Sequence, residues 1–325
     1  MRRTKMTERL LEVKSISKTF ELNRGPLKKK ALLQAVSDIS LTIYKGETFS
    51  LVGESGCGKS TTGRLLSQLI TPDTGEVWLE NQKLSDLNKK QLKPFNRRVQ
   101  MVFQDPYASL NPRMKVMDIL AEPVDVHMKL SRKEKEKMIF DILDIVGLSK
   151  LSAYKYPHQF SGGQRQRIGI ARALILKPDL IIADEPVSAL DVSIQSQILN
   201  LFKELQSEFQ LAYLFISHDL SVVEHISDRV AVMYLGKIVE MGLKEEVFQN
   251  PKHPYTKALL SAVPVIGDRS KKRERIVLRG DLPSPVNPPS GCTFHTRCPY
   301  VMDVCKSKSP HLSEVQQKVS CHLFD

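Results

Sequence analysis

The sequence predicts an α/β fold whose core is a mostly parallel sheet. Short apolar runs of strand length alternate with amphipathic stretches through the middle of the chain, a pattern typical of strands covered by helices. One such run, "ETFSLV" (residues 47–52), leads directly into a glycine-rich loop. Because folds of this class place active groups at the carboxyl ends of their strands, we expect a functional site at this loop.

Two strands are predicted ahead of this core. Residues 10–20 and 35–43 both alternate apolar and polar side chains, and a turn at residues 45–47 follows the second segment. After the glycine-rich loop, "STTGRLLSQLI" (residues 60–70) has the period of a helix and ends near a second turn. Two early strands are therefore expected to precede the glycine-rich loop, and a helix to follow it.

The pattern becomes helical from about residue 91 to 174 and then returns to alternating strands and helices. Ser131 precedes an amphipathic run and is predicted to cap its helix. Beyond this region "LIIADEP" (180–186) and "AYLFISHD" (212–219) indicate buried strands, with an amphipathic helix between them. The sequence thus predicts a helical insertion in an α/β core, and an appendage beyond Arg269, where basic and proline-rich segments follow.

Positive charge is concentrated at the amino terminus. The formal net charge is +12, and the first thirty residues hold ten Lys or Arg against three Glu. A nucleic-acid groove, an anionic membrane surface and a solvated face are three interpretations of this charge. Aromatic residues are not interleaved with it, so we expect no direct binding of nucleic acid.

The apolar segments and the cysteines indicate the compartment. No apolar run reaches the roughly eighteen residues of a membrane-spanning helix, and no signal-peptide core follows the basic start. We therefore expect a protein that stays inside the cell. In that reducing compartment, the four cysteines beyond residue 290 indicate a metal site and not a disulfide framework.

The glycine-rich loop, "GESGCGKS", matches a phosphate-binding motif. Its glycines allow backbone N–H groups to surround phosphate oxygens, Lys59 adds a cation for the β and γ phosphates, and the Ser60 hydroxyl is a ligand for Mg²⁺. A plain glycine-rich turn is the alternative, which the flanking strand and helix make less favourable. The predicted nucleotide-binding residues are Gly53, Glu54, Ser55, Gly56, Cys57, Gly58, Lys59, Ser60 and Thr61.

Acidic residues and a histidine follow the later strands. Asp184 is placed to hold Mg²⁺, and Glu185 beside it is placed to orient and deprotonate an attacking water. His218, after the next strand, can donate a hydrogen bond to the γ-phosphate. In isolation, the acidic pair would be a solvated turn and the histidine an ordinary structural residue, so these roles depend on the surrounding motifs.

The segment "FSGGQRQR" supplies a second anion cradle. Ser161 is predicted to cap a helix and to offer its hydroxyl to phosphate, with Gly162 and Gly163 behind it. Two cradles and one acidic pair are expected if each nucleotide is held between two chains.

With these motifs in this order, nearly the whole chain resembles the ATP-binding subunit of an ABC transporter. Residues 53–61 resemble Walker A, Gln104 in "VFQDP" resembles the Q-loop, and residues 180–185 resemble Walker B with its catalytic glutamate. Phe20 stands where the family places an aromatic that stacks on adenine, although an ordinary buried strand residue is the alternative. The remaining matches are the signature motif (Ser161, Gly162, Gly163 and Gln164), the D-loop (residues 188–191, ending at Asp191) and the H-loop switch (His218).

The resemblance implies a P-loop NTPase core of ABC type with an antiparallel β subdomain, an inserted helical subdomain and a small loop-rich, cysteine-containing C-terminal extension. The ATPase domain would be residues 1–269, with the helical subdomain at about 91–174, and the extension residues 270–325. ATP and Mg²⁺ are the implied cofactors, with nucleotide contacts from Phe20 and Asp191 as well as from both cradles. The family assigns Mg²⁺ to Ser60, Gln104 and Asp184, and catalysis to Glu185, His218 and Gln104.

The carboxyl-terminal segment narrows the resemblance. "HPYTKALLSAVP" (253–264) and "GDLPSPVNPPSGCTFHTRCP" (280–299) are similar to ATPase subunits of oligopeptide, dipeptide and nickel importers. This implies peptide import by a peripheral protein on the cytoplasmic face of the cell membrane. The implied partners are a paralogous ATPase in a head-to-tail heterodimer, two transmembrane permeases that meet the groove beside Gln104, and an extracytoplasmic peptide-binding protein.

Other functions stay open at this point. The cargo could be nickel or another non-peptide solute, or the transporter an exporter. A soluble ABC ATPase acting on nucleic acid or the ribosome is a further alternative, although the chain has neither a second cassette nor a long coiled-coil insertion.

The cysteines of the extension could hold a soft metal. The spacing lacks the CxxC pairs usual for structural zinc, which favours a [4Fe-4S] cluster over Zn²⁺, and free buried thiols are the third interpretation. The residues concerned are Cys292, Cys298, Cys305 and Cys321.

Overall fold

Two β-sheets organise the chain. The computed structural model describes residues 8–22, 30–263, 276–278, 280–313 and 317–325. In chain order the strands are β1 (Arg9–Leu22), β2 (Ala31–Tyr44), β3 (Thr48–Val52), β4 (Thr74–Leu79), β5 (Gln82–Lys83), β6 (Val99–Val102), β7 (Leu180–Asp184), β8 (Ala212–Ser217), β9 (Arg229–Tyr234), β10 (Lys237–Leu243) and β11 (Lys318–Val319).

Helices cover the larger sheet and form the insertion. They are α1 (Lys59–Leu66), α2 (Lys89–Arg98), α3 (Pro106–Ser109), α4 (Val116–His127), α5 (Arg132–Ile145), α6 (Gly162–Leu174), α7 (Val192–Phe209), α8 (Leu220–Ile226), α9 (Lys244–Gln249), α10 (Pro254–Ser261) and α11 (Asp303–Ser307). Within the described ranges, the helices are too short or too polar to cross a membrane.

The smaller sheet is antiparallel, in the order β2-β1-β4-β5. Strands β1 and β2 pair along most of their length, with Leu11 opposite Ile43 and Val13 opposite Leu41. These four side chains are buried in a core shared with the larger sheet, while the intervening Glu12 and Thr42 are only half-buried. The alternation in the sequence therefore correctly predicted both early strands, because only one face of this sheet is covered.

The larger sheet has the order β11-β10-β9-β3-β8-β7-β6 and is parallel from β9 to β6. Every residue of β3, β7 and β8 is buried. Helices on both faces explain why these strands are continuous apolar runs. Val52 lies opposite Ser217, and Asp184 lies opposite Ile216, so the ends of the three strands share one edge of the sheet.

Helix α1 ends earlier than its periodicity predicted. The apolar pattern continues to Ile70, but the helix stops at Leu66 and Gln68 adopts a left-handed φ of 59°. The Gln68 amide donates to the Leu65 carbonyl oxygen at 2.8 Å, which satisfies one of the carbonyl groups left free at the helix end. Local hydrogen bonding thus ends the helix where the side-chain pattern does not.

The region from residue 91 to 174 is mainly helical, as expected, but it contains one strand of the main sheet. Ser131 caps α5 as predicted, and its hydroxyl and Glu134 form a reciprocal capping box. Strand β6 pairs in parallel with β7. Four residues are too few for a recognisable pattern, so sequence reasoning missed this strand.

The carboxyl-terminal residues add an edge strand to the main sheet. Strand β11 pairs with β10, with Val319 opposite Glu240. The buried side chain of Gln317 donates to Glu240 Oε1 at 2.9 Å. The predicted domain boundary at residues 269 and 270 lies outside the described residues, so the division of the chain at that point stays a prediction.

Candidate active site

The glycine-rich loop turns between β3 and α1 in a conformation that requires glycine. Gly58 has φ = +106°, and a Cβ atom there would lie 2.1 Å from the carbonyl oxygen of Ala35. Helix α1 begins at the next residue, and no side chain caps it. Its first N–H groups are therefore available to an anion, which the helix dipole also favours.

Lys59 is drawn into the loop. It is only 4% exposed. Its Nζ donates to the carbonyl oxygens of Gly53 at 2.8 Å and Glu54 at 3.0 Å, and it lies 3.9 Å from Glu185 Oε1. The backbone of the loop thus holds the ammonium group beside the catalytic carboxylate predicted from sequence.

Ser60 and Asp184 meet although 124 positions separate them in the chain. The Ser60 hydroxyl donates to Asp184 Oδ1 at 2.8 Å. Burial raises the pKa of the Asp184 carboxyl above its usual range, and the hydrogen bond from Ser60 opposes that shift. The pair offers a hydroxyl and a carboxylate, the hard oxygen donors that Mg²⁺ prefers.

Glu185 is the shared partner of two other predicted residues. Its Oε2 accepts a hydrogen bond from Gln104 Nε2 at 2.9 Å and lies 3.1 Å from His218 Nδ1. Its backbone has a left-handed φ of 45°, a conformation that residues other than glycine seldom adopt. Its N–H donates to the carbonyl oxygen of Ile216, so the end of β8 holds this turn.

A cavity of about 310 Å³ extends from the phosphate loop to Phe20. Phe20, Gln104 and Glu185 are among the residues that line it. Leu33 and Pro285 also line it, and neither residue belongs to a motif from which its place could be predicted. Only the pairing of β1 with β2, and the return of the carboxyl-terminal segment, bring them to the cavity.

The signature segment lies elsewhere. Ser161 caps α6, with its hydroxyl accepting from the Gln164 N–H at 3.3 Å, as the sequence predicted. Gly163 packs against α7, where an added Cβ would lie 2.5 Å from Ile194 Cγ2. Among the described residues that line the 310 Å³ cavity, none comes from the signature motif.

Asp191 is the N-cap of α7, but its side chain makes no capping hydrogen bond. The side chain is exposed. It therefore stands apart from the cluster around Glu185 within this chain.

A second and larger cavity lies between α1 and the helical region. It measures about 790 Å³ and includes Gln104, Glu122, His127 and Arg172 in its lining. Gln104 lines both cavities and hydrogen-bonds Glu185, so it connects the helical region to the acidic cluster.

The structure does not support the predicted metal site at the cysteines. Across the described parts of the chain, no group of three or more His, Cys, Asp or Glu side chains is arranged to hold a metal ion. Burial is the largest of the effects that raise the thiol pKa values of Cys292, Cys298 and Cys321. Cys292 and Cys298 pack against an apolar cluster that contains Phe294.

Sequence reasoning also missed two contacts to Glu54. Arg297 Nη1 donates to Glu54 Oε2 at 2.9 Å, and the Glu54 N–H donates to Tyr255 Oη at 3.0 Å. Arg297 lies between Cys292 and Cys298 in the sequence. An arginine between cysteines gives no sign of a partner 243 residues away.

Comparison with protein families gives two matches. Residues 36–188 match the family described as ABC transporter. Residues 239–305 match the family described as oligopeptide/dipeptide transporter, C-terminal region. The second match begins within β10, upstream of the predicted boundary at residue 270.

Curated relatives align over nearly the whole chain. The chain is 54% identical to the oligopeptide transport ATP-binding protein AppF of Bacillus subtilis (strain 168), covering 98% of each. It is 48% identical to the dipeptide transport ATP-binding protein DppF of Escherichia coli (strain K12), covering 97% of this chain and 95% of that one.

Solved structures share the fold. One is a dimeric ATP-binding cassette in a post-hydrolysis state with ADP and Pi, at a TM-score of 0.65 and 29% identity, covering 72% of this chain and 99% of that chain. Another belongs to the cbiONQ ABC transporter complex of Clostridium perfringens, at a TM-score of 0.65 and 28% identity, covering 75% and 92%.

Proposed function

The chain belongs to the family of ATP-binding subunits of oligopeptide and dipeptide ABC transporters, and on that premise we propose how its site powers peptide import. It is an ABC-type ATPase coupled to transport and a component of such a transporter. One observation carries the mechanism: Glu185 lies at the phosphate loop with Lys59, Gln104 and His218 around its carboxylate.

Ser60 and Asp184 fit a magnesium site. Their oxygens are already hydrogen-bonded, and a bound cation would favour the ionised Asp184 whose pKa burial raises. We assign Mg²⁺ to these two residues, with Gln104 beside them. When bound, Mg²⁺ supplies charge neutralisation for the phosphoryl group that is transferred.

Glu185 is the proposed general base. A carboxylate that follows a buried strand, and that is fixed by two hydrogen-bonding partners, can hold a water in line with the γ-phosphate and accept its proton. His218 and Gln104 are proposed to orient the carboxylate, and His218 is also the proposed donor to the γ-phosphate. Lys59, held by the loop carbonyls, is placed to turn toward the phosphates.

Phe20 is the proposed contact for the adenine base of ATP. It lines the cavity together with Leu33, its partner in the β1–β2 pairing, and with Pro285. An aromatic face and two apolar side chains are suited to the flat surface of adenine. The glycine-rich loop and the free N–H groups of α1 lie between Phe20 and Glu185, where a triphosphate would extend.

The signature motif is proposed to complete the site of a second ATPase subunit. The capped N-terminus of α6 lies outside the cavity formed by this chain. It consists of Ser161, Gly162, Gly163 and Gln164. The related cassette is dimeric, which supports a pair of ATPase subunits, and we propose that the pair is arranged head to tail. We propose that the partner is a paralogous subunit, that Asp191 lies at their contact, and that ATP binding closes the pair and hydrolysis opens it.

The other proposed partners are two membrane permeases and an extracytoplasmic peptide-binding protein. The cavity of about 790 Å³ beside Gln104 is the surface that we assign to the permeases, because Gln104 also contacts Glu185. This connection would couple hydrolysis to the permeases. We place the chain on the cytoplasmic face of the cell membrane as a peripheral protein.

Replacing the base tests the mechanism. In the assembled transporter, Glu185→Gln should lower the rate of ATP hydrolysis by about a hundredfold or more. The variant should keep its affinity for ATP, because the loop and Lys59 are unchanged. Glu204→Gln, at an exposed position of α7, is the matched control and should hydrolyse at the wild-type rate. Near-normal hydrolysis by Glu185→Gln would remove Glu185 from this role.

A further inference from the structure

Glu54 connects the phosphate loop to the carboxyl-terminal segment. Its carbonyl oxygen accepts from Lys59 Nζ at 3.0 Å, and its N–H donates to Tyr255 Oη at 3.0 Å. Its carboxylate accepts from Arg297 Nη1, with distances of 2.9 Å to Oε2 and 3.2 Å to Oε1. The same loop residue therefore contacts the lysine that meets the phosphates and an arginine from the far end of the chain.

Arg297 is fixed by well-packed neighbours. Its side chain is only 10% exposed, and its guanidinium lies 6.0 Å from the ring centroid of Tyr234. Its N–H donates to the carbonyl oxygen of Phe294, which is buried against Tyr234 and Tyr255 with centroid distances of 5.2 and 5.5 Å. The arginine therefore extends from an aromatic cluster, and its ion pair with Glu54 is partly shielded from solvent.

The same segment reaches the nucleotide cavity at a second point. Pro285 lines the cavity beside Phe20, and its carbonyl oxygen accepts from the Gln34 N–H at 3.3 Å. The carboxyl-terminal segment therefore contacts the site at two points. Arg297 reaches the phosphate loop through Glu54, and Pro285 lines the cavity together with Phe20, the proposed contact for adenine. The segment's position is part of the geometry of the site.

We propose that Arg297 is a positioning residue for ATP, which acts through Glu54 to hold the phosphate loop in its binding conformation. This rests on the ATPase function proposed above. Without Arg297, the Glu54 carboxylate would stand unpaired on a loop that must receive a polyanion, and the loop would lose one of its anchors. Both effects weaken ATP binding, the first by repulsion and the second by the entropy of ordering the loop.

The proposal separates binding from chemistry. The contacts of Glu185 with Gln104 and His218 do not involve Arg297, so the rate of hydrolysis at saturating ATP should persist. A lysine at position 297 can also donate to a carboxylate, because only one nitrogen of Arg297 makes both contacts. Its side chain is shorter, so it should restore the effect only in part.

The test measures the Kd for ATP by calorimetry on the full-length chain, and kcat at saturating ATP in the assembled transporter. Arg297→Gln should raise the Kd about tenfold, and Arg297→Lys about threefold, with kcat within about twofold of wild type. Lys306→Gln is the matched control, because it removes one positive charge from an exposed ion pair in the same segment. The control should leave both quantities unchanged.

A second background shows whether Arg297 acts through Glu54. In Glu54→Ala, replacing Arg297 should cause no further rise in Kd, because no side-chain acceptor remains at position 54 for the arginine to hold. The proposal would be overturned if the Arg297 variants bound ATP with the wild-type Kd, or if their kcat fell by the same factor as their Kd rose. It would also be overturned if replacing Arg297 raised the Kd equally in the wild-type background and in the Glu54 variant.

A variant that does not fold and a failure of the proposed function give different results. If Arg297→Gln does not fold, Arg297→Lys is judged by the same criteria in both backgrounds. Failure of the proposed function is a separate result, since it would appear as a wild-type chain that neither binds nor hydrolyses ATP.

Discussion

Glu185 shows how single residues acquire a role from their neighbours. The sequence places an acidic pair after a buried strand, which alone is consistent with a solvated turn. In the structure its carboxylate contacts Gln104 and His218 and lies near Lys59, at 2.9, 3.1 and 3.9 Å. Three side chains from separate parts of the chain thus surround the one carboxylate that we propose as the general base.

Glu240 is a buried carboxylate of a different kind. It lies in β10, is fully buried, and accepts hydrogen bonds from the N–H groups of Lys252 and His253 and from Gln317. Burial raises the pKa of its carboxyl, and these hydrogen bonds oppose the shift. Its role is to join the carboxyl-terminal strand to the main sheet.

This raised pKa predicts a pH dependence of stability. Because the folded-state pKa of Glu240 exceeds its unfolded value, its contribution is fully present below the unfolded pKa and is lost as pH rises through the folded pKa. The unfolding free energy of wild type relative to Glu240→Gln should therefore decrease from acid toward neutral pH. Denaturant unfolding across that range measures the difference, with Glu204→Gln as the exposed control. A difference that grows with pH would contradict the assignment.

At the scale of elements, α5 illustrates a helix that local sequence specifies. Ser131 and Glu134 exchange hydrogen bonds at its start, with Ser131 N donating to Glu134 Oε2 at 2.8 Å. Ile139 and Leu143 bury its apolar face in the core of the helical region. Both features, the N-terminal cap and the helical spacing of apolar residues, could be predicted from the sequence because they depend on neighbours within one helix.

Removing this cap should have a measurable effect on stability. Ser131→Ala should lower the free energy of unfolding by about 1 kcal/mol, because an N–H group at the start of α5 loses its partner. Thermal unfolding of the full-length chain provides the measurement. Ser196→Ala, an exposed serine within α7, is the control and should change stability much less. Equal effects of the two substitutions would argue against a specific role of the cap.

Elements that depend on distant partners were harder to predict. Strand β6 exists because β7 pairs with it, and β11 because β10 does. Both are short, so their own side-chain patterns carry little information. The early end of α1 has a similar cause, since backbone and amide hydrogen bonds around Gln68 determine it and the apolar pattern continues past it.

At the scale of the whole molecule, the two predicted anion cradles are separate. The phosphate loop lines the 310 Å³ cavity, whereas Ser161 begins α6 outside it. A complete site with both cradles therefore needs a second subunit, if both contact the same nucleotide. This arrangement makes nucleotide binding and hydrolysis separable by mutation.

A signature substitution should separate these two activities. Ser161→Ala should leave the Kd of the isolated chain for ATP unchanged, since Ser161 does not line its cavity. It should lower hydrolysis by the assembled transporter, because the partner's nucleotide loses a donor. Ser149→Ala, which removes the cap of a short 3-10 helix, controls for stability. Calorimetry and a phosphate-release assay give the two measurements; a weakened Kd in the isolated chain would contradict the proposed arrangement.

The phosphate loop, the acidic pair, the capped helices and the resemblance to the family could all be predicted from the sequence, because each depends on residues that are close together in the chain. Tertiary structure alone decided which distant groups meet: Ser60 with Asp184, Gln104 and His218 with Glu185, and Arg297 with Glu54. Within the described residues, the cysteines of the extension are also not arranged as a metal site. The physical reason is that hydrogen bonds and ion pairs act over a few ångströms, so only the packed sheets determine which residues come within reach.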